Sequence, residues 1–213
     1  MTTLENLCST LGHIAPLRLA ESWDNVGLLV GDRQRSITRV MTCLTISPNV
    51  VQEAIDENVD VIVVHHPLPF KALQRITADT IPGKMLLQLI AAEVAIYSAH
   101  TAFDSASNGI NQMWAESLGL QNCKPLIESD DPTELGAGRV GTLSQPMTLI
   151  ELVSKTSNHV GATVPRRVGA ADQAVNKVAF ACGSGGTFLP AAARAGCDAL
   201  ITGEATFHTC FEA

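Results

Sequence analysis

"RVMTCLTISPNVVQEAIDENVDVIVVHHPLPF", Arg39 to Phe70, decides the fold. Arg39–Ser47 is apolar and β-branched enough to read as a strand. Ser47-Pro48 then supplies a hydroxyl N-cap with proline at the first helical position. The helix "PNVVQEAIDEN" that follows puts Val50, Val51, Ala54 and Ile55 on one side. "VDVIVV" closes the unit as a second strand. Strand, helix and strand at this spacing make a βαβ unit. An unbroken apolar run, Val61–Val64, implies a strand covered on both faces, as in a parallel sheet.

The pattern extends in both directions. Before the unit, Leu4, Leu7, Cys8 and Leu11 have helical spacing, and "APLRLAESWDNVGLLVGD" reads as a loop. After it come a basic loop "KALQRITADTIPG", a helix "KMLLQLIAAE", a strand "VAIYSA" running into "HTAFD", and a helix "SNGINQMWAESLGL" ended by Gly119. "KPLIESDDPTELGAGR" is rich in Pro, Gly, Asp and Ser, which places a domain boundary there: residues 1–125 form one α/β domain and 126–213 a second. The second begins with a short strand and a helix starting near Pro146. It continues with "KVAFACGSGGTFLPAAARAGCDALITGE", a strand, a glycine turn, a helix and a strand. "EAIDENVDVIVVHH" and "PAAARAGCDALITGE" share an order of helix, short turn, Asp, apolar strand and polar cluster, which suggests an internal duplication.

Composition narrows the function. With 46% hydrophobic and 16% charged residues the chain is globular, and 213 residues suffice for a substantial core. A net charge of −7 disfavours a nucleic-acid partner held through phosphates. The basic cluster Arg33, Arg35 and Arg39 could meet a small phosphorylated ligand, but solvated loop arginines are the simpler reading. The six cysteines form no C-x-x-C, so they read as reduced thiols of a cytoplasmic protein. The N-terminus lacks the pattern of a signal peptide, and no apolar run is long enough to span a membrane.

Three strands end in residues able to ligate metal: His65 and His66; His100 with Asp104 four residues on; Glu204 with His208 four residues on. Ligands of open α/β sheets bind beyond the carboxyl ends of strands, and imidazole with carboxylate suits zinc, manganese, iron or nickel. Adjacent residues within a strand point to opposite faces. Past its end, with Pro67 restricting the backbone, both histidines could turn to one cavity and serve two metal ions ~3.5–4 Å apart. "CGSGGT", Cys182–Thr187, could offer amides to an anion or be a tight packing turn. Trp23, Asp24 and Asn25 could line a site or form an Asx-turn.

"ESWDNVGLLVGD", "VDVIVVHHPLPF", "IYSAHTAFDSASNGIN", "ACGSGG" and "DALITGEATFH", in order over nearly the whole chain, resemble the NIF-three-like dinuclear-metal proteins, also known as GTP cyclohydrolase 1 type 2 homologues. The resemblance implies an α/β fold of two similar, interlinked domains, each a mixed or mostly parallel sheet flanked by helices. It implies a toroidal homohexamer with two divalent metal ions per subunit, held by residues matching His65, His66 and Asp104. His100 matches a position beside the metals, and His100 or His208 would move protons. Glu204 and His208 match a "GE…H" signature near the site without being ligands. The family continues past the point matching Ala213 with a late His and a Glu that complete the site, so the resemblance implies a second domain truncated at its C-terminus. The expected function is metal-dependent hydrolysis of a small nucleotide-like substrate. The alternative is a non-catalytic hexameric metal-binding scaffold or regulatory interaction protein.

Overall fold

In the computed structural model, residues 2–129 and 136–213 are described. The chain divides into two compact units, Met1–Phe103 and Asp104–Ala213.

The first unit contains β1 (Thr2–Thr3), α1 (Leu4–Ile14), β2 (Gly27–Val30), β3 (Ser36–Ile37), β4 (Val40–Thr45), α2 (Pro48–Asp56), β5 (Val61–His66), α3 (Ile81–Ala91) and β6 (Ala95–Ser98). Helix α4 (His100–Ser105) follows, and the division of the chain falls within it. The main sheet has the order β2-β6-β5-β4. β4, β5 and β6 are parallel, and β2 is antiparallel to β6. The βαβ unit is as expected: Ser47 Oγ accepts the Val50 amide, and Pro48 opens α2. The apolar run of β5 serves both faces of the sheet. Val61 and Val63 pack with Leu4 and Cys8 of α1, whereas Ile62 and Val64 pack with Val51 and Ala54 of α2 and with Leu86 and Leu89 of α3. "GLLV" in the expected loop is in fact strand β2. It is too short to show a period, and its place is set by pairing with β6.

The second unit contains α5 (Ile110–Ser117), β7 (Gln121–Lys124), β8 (Arg139–Thr148), α6 (Leu149–Val160), β9 (Ala174–Ala181), α7 (Leu189–Arg194), β10 (Ala199–Thr202) and α8 (Phe207–Glu212). Its sheet has the order β10-β9-β8-β7, with β9 and β10 parallel and the other pairs antiparallel. This division lies earlier in the chain than the boundary at 125/126 read from composition, because β7 pairs with β8. The short strand and the helix near Pro146 need correction. β8 runs through Pro146, which falls in the stretch between Thr142 and Met147 where the ladder to β9 is interrupted and a missing N–H is tolerated. Helix α6 starts three residues later, at a capping box of Thr148 and Glu151.

The suggested duplication has a physical counterpart. Asp60 Oδ2 accepts the Thr38 and Arg39 amides at the start of β4, and its own amide donates to Arg39 O. Asp198 Oδ2 accepts the Asn176 and Lys177 amides in β9, and its own amide donates to Lys177 O. The preceding helices also end alike. Asn58 and Gly196 are left-handed, and the next amides, of Val59 and Cys197, reach back to Ala54 O and Ala192 O. Among the described residues no helix is long and apolar enough to cross a membrane.

Candidate metal centre

Because β5 is packed on both faces, its carboxyl end is fixed. The two histidines are its last residues rather than residues beyond it, as expected from the sequence: His66 still pairs with Thr45 of β4. Strand alternation would send the rings to opposite faces. β6 stops at Ser98, opposite Val64, so no neighbouring strand separates the faces on that side. The Ser98 hydroxyl donates to the His65 carbonyl at 2.7 Å, anchoring the strand end. His100 follows two residues later and completes a triangle with the two rings. Ring centroids are 5.1 Å apart for His65–His66, 5.2 Å for His65–His100 and 5.8 Å for His66–His100. One ligand atom of each lies within 4.8 Å of the others, a group that could hold a metal ion.

His100 has φ +29°, a left-handed conformation that costs a non-glycine residue about 1–3 kcal/mol. Asp24 holds it there. The Asp24 side chain is fully buried, and its two oxygens lie 2.9 Å from His100 Nδ1. Oδ2 also accepts the Thr101 amide at 3.1 Å and the Thr101 hydroxyl at 2.5 Å, while Oδ1 accepts the Asn25 amide at 2.8 Å. Burial alone would raise the Asp24 carboxyl, but the bonds from Thr101 and His100 outweigh it and hold it below its ordinary value. An anionic Asp24 keeps His100 Nδ1 protonated as its donor and leaves Nε2 as the nitrogen it does not engage. The Thr45 hydroxyl is 2.7 Å from His66 Nδ1, on the other side of the group. Burial, reinforced by the neighbouring His100 and His66, pushes His65 down to about 4. Burial and then His100 push His66 down as well. Both rings are therefore neutral near pH 7, and a metal need not displace a proton to bind them.

The profile of the Duf34/NIF3 (NGG1p interacting factor 3) family matches residues 2–213. The chain belongs to the Duf34/NIF3 family. It is 36% identical over 205 residues to the "GTP cyclohydrolase 1 type 2 homolog" of Clostridium perfringens, covering 96% of this chain and 78% of that protein. The homolog of the same name from Clostridium acetobutylicum is 37% identical over 206 residues, covering 96% and 77%. Its fold is that of a solved Bacillus cereus protein related to NIF3, with a TM-score of 0.91 at 23% identity, covering 100% of this chain and 85% of that one.

The remaining expected residues of this Duf34/NIF3 chain fall in the second unit. Asp104 comes one turn after His100 along α4. Its carbonyl accepts the Asn111 side-chain amide at 2.9 Å. Burial and the adjacent Asp104 carboxylate, which accepts from the thiol, push Cys182 far above its ordinary range. Glu204 and His208 are exposed, the latter on α8 with its ring edge-on to Phe207. The "CGSGGT" turn is a packing turn. The Gly185 amide donates to Thr202 Oγ1 at 2.8 Å, and a Cβ at Gly185 would stand 2.6 Å from that oxygen. The three arginines of the basic cluster bind acidic neighbours: Arg33 with Glu5, Arg35 with Asp60, and Arg39 with Glu57.

Two residues have roles that no local pattern shows. Asp24 was visible only as a polar loop residue, since its partner His100 lies 76 positions away. Arg139 is fully buried in the second unit, with Nη1 on the Gly136 and Gly138 carbonyls, Nη2 on those of Ser105 and Ala106, and Nε on Gln112 Oε1. The glycines just before it were the only hint that backbones approach closely there.

Proposed function

We propose that the chain binds two divalent metal ions through His65, His66 and Asp104 and acts as a metal-dependent hydrolase on a nucleotide-like substrate, as a cytoplasmic homohexamer. The observation that carries this is the gathering of His65, His66 and His100 at the carboxyl end of one sheet, with His65 and His66 as neutral imidazoles. A donor set of imidazole nitrogens with a carboxylate fits zinc, manganese, iron or nickel. The name shared by the clostridial relatives, GTP cyclohydrolase 1 type 2 homolog, supports a nucleotide substrate.

When bound, divalent metal supplies Lewis-acid polarisation of the scissile centre and a source of hydroxide at neutral pH. The chain's own residues supply position and proton handling. His65 and His66 are rigid because the strand beneath them is packed on both sides. His100, with Nδ1 committed to Asp24, presents Nε2 to the group and is assigned the movement of a proton to or from the reacting centre. His208, exposed on α8, is the second candidate for that task.

The test is metal content by mass spectrometry together with turnover of GTP and of p-nitrophenyl phosphate by metal-loaded protein. We expect turnover that is lost, together with metal, in His65→Ala. Metal-loaded protein that turns over neither compound, or turnover unaffected by His65→Ala, refutes the hydrolase. Metal binding without turnover leaves a metal-binding scaffold.

A further inference from the structure

Beside the three histidines stand two aromatic residues that the hydrolytic chemistry does not use. Trp23 is 61% exposed and Phe70 is 47% exposed, although both are large apolar side chains that folding normally covers. Their ring centroids are 6.0 Å apart, tilted at 55°. Each also meets His100 edge-on, Trp23 at 6.2 Å and Phe70 at 6.1 Å.

The loops that carry them are pinned. Asn25 Nδ2 donates to the Pro69 carbonyl at 2.8 Å, joining the segment after Trp23 to the residue before Phe70. The Asp24 amide donates to Glu21 O at 2.9 Å, and the Glu21 amide donates to Thr101 Oγ1 at 3.0 Å. The Asp24 carboxylate, next to Trp23 in the chain, is fixed by His100 and Thr101. The exposure therefore belongs to held rings and not to a loose loop. A pre-placed aromatic face is a stacking platform whose ordering cost is met on folding.

We infer that Trp23 and Phe70 form a binding subsite for the planar heteroaromatic ring of the substrate, a purine-type base stacked on the exposed indole. A ring seated there would have its attached polar groups within about one ring's width of the histidines. Compounds lacking the ring would lose this contact but keep any contact of their phosphate with the metal-binding group. The inference rests on the hydrolase reading for the word substrate, but not for the binding itself.

The experiment uses the full chain without added metal, titrated with guanosine 5′-monophosphate and with ribose 5-phosphate by calorimetry and tryptophan emission. Wild type should bind the nucleotide with quenching of Trp23, and more tightly than the ringless sugar phosphate. Trp23→Ala and Phe70→Ala should each weaken nucleotide binding by roughly ten-fold or more, the scale of one base–aromatic stack. Trp23→Phe should restore most of the affinity, and Trp23→Leu, which keeps apolar bulk without a π face, should not. Nucleotide affinity unchanged in Trp23→Ala, equal affinity for the two probes, or no nucleotide binding each overturns the inference. A change of oligomeric state in Trp23→Ala with nucleotide binding intact would make the pair a protein contact and overturn it too. Ring-dependent binding without turnover keeps the subsite and discards the hydrolase. Turnover indifferent to Trp23 does the reverse.

Discussion

Replacing Asp24 with asparagine removes a charge and almost no volume, so its effect measures what the carboxylate does for His100. The two oxygens receive only donors: the Asn25 amide on Oδ1, the Thr101 amide and hydroxyl on Oδ2, and His100 Nδ1 on both. An asparagine can turn its carbonyl to Thr101, but its NH2 then faces the Asn25 amide, donor against donor. Losing that charge-assisted bond and leaving an unmatched donor costs roughly 2–3 kcal/mol. The surviving bonds fall to neutral strength, roughly 0.5–1 kcal/mol each. Burying an amide instead of an ion returns part of this, so Asp24→Asn should destabilise by about 2–4 kcal/mol. The strained φ of His100 adds a functional consequence, because its ring loses the partner that fixes tautomer and direction. Affinity for a divalent ion should drop about 10–100-fold, the usual cost of disturbing the residues that surround a metal's ligands. Urea unfolding of metal-free protein reads the first number, and zinc competition against a chromogenic chelator reads the second. A variant with wild-type midpoint and wild-type zinc affinity would refute the role given to Asp24.

Three further outcomes follow from local geometry. Arg139→Met should leave the Gly136, Gly138, Ser105 and Ala106 carbonyls short of a donor; at ~1 kcal/mol each, offset in part by no longer burying a cation, the expected loss is about 3 kcal/mol, and a neutral or stabilising result in urea unfolding would reject it. Glu93→Gly should raise stability by roughly 0.5–1 kcal/mol, or about 1–4 °C in Tm by calorimetry, because Glu93 sits at φ +58° after α3 and its exposed contact with Arg35 is worth little; a lower Tm would count against it. Burial alone would raise Asp60, but the bonds from Thr38 and Arg39 outweigh it and lower it, so its contribution is present above the unfolded pKa of about 4 and is lost as pH falls through the folded value. The stability gap between wild type and Asp60→Asn should therefore be widest above pH ~5 and narrow on acidification, whereas a gap constant down to pH ~2 would contradict this.

The fold was legible wherever a local rule and a burial pattern agreed. The apolar run of β5, the Ser47-Pro48 start of α2 and the glycine after α5 each act within a few residues, and each took the expected form. The misses share a cause. β2 is a strand because β6 is beside it, and Pro146 stays in β8 because the ladder to β9 is interrupted there. Neither fact is local. The candidate site divides in the same way. His65 and His66 announce themselves at the end of an apolar strand, whereas the value of Asp24 depends on a fold that brings it to His100.

The two βαβ units show how far the framework and the chemistry are separable. One constant offset carries Asp60 onto Asp198, Thr38 and Arg39 onto Asn176 and Lys177, and the Val40–Val61 pair onto the Val178–Ala199 pair. No residue is inserted between these points, and the Asp-to-amide bonds recur with them. Continued to the strand ends, the same offset places Thr45 on Gly183, His65 on Gly203 and His66 on Glu204. There the units diverge. In the second, the Glu204 amide donates to the Gly183 carbonyl at 3.0 Å, and a Cβ at Gly203 would stand 2.9 Å from that carbonyl oxygen. The backbones close on each other and leave no space for a side chain. In the first, Thr45 and His66 continue the ladder with full side chains, and the opening beside β6 admits His100. The sheet and its Asp clamp therefore position a strand end, and the residues at that end decide whether it is sealed by glycine or lined with imidazole.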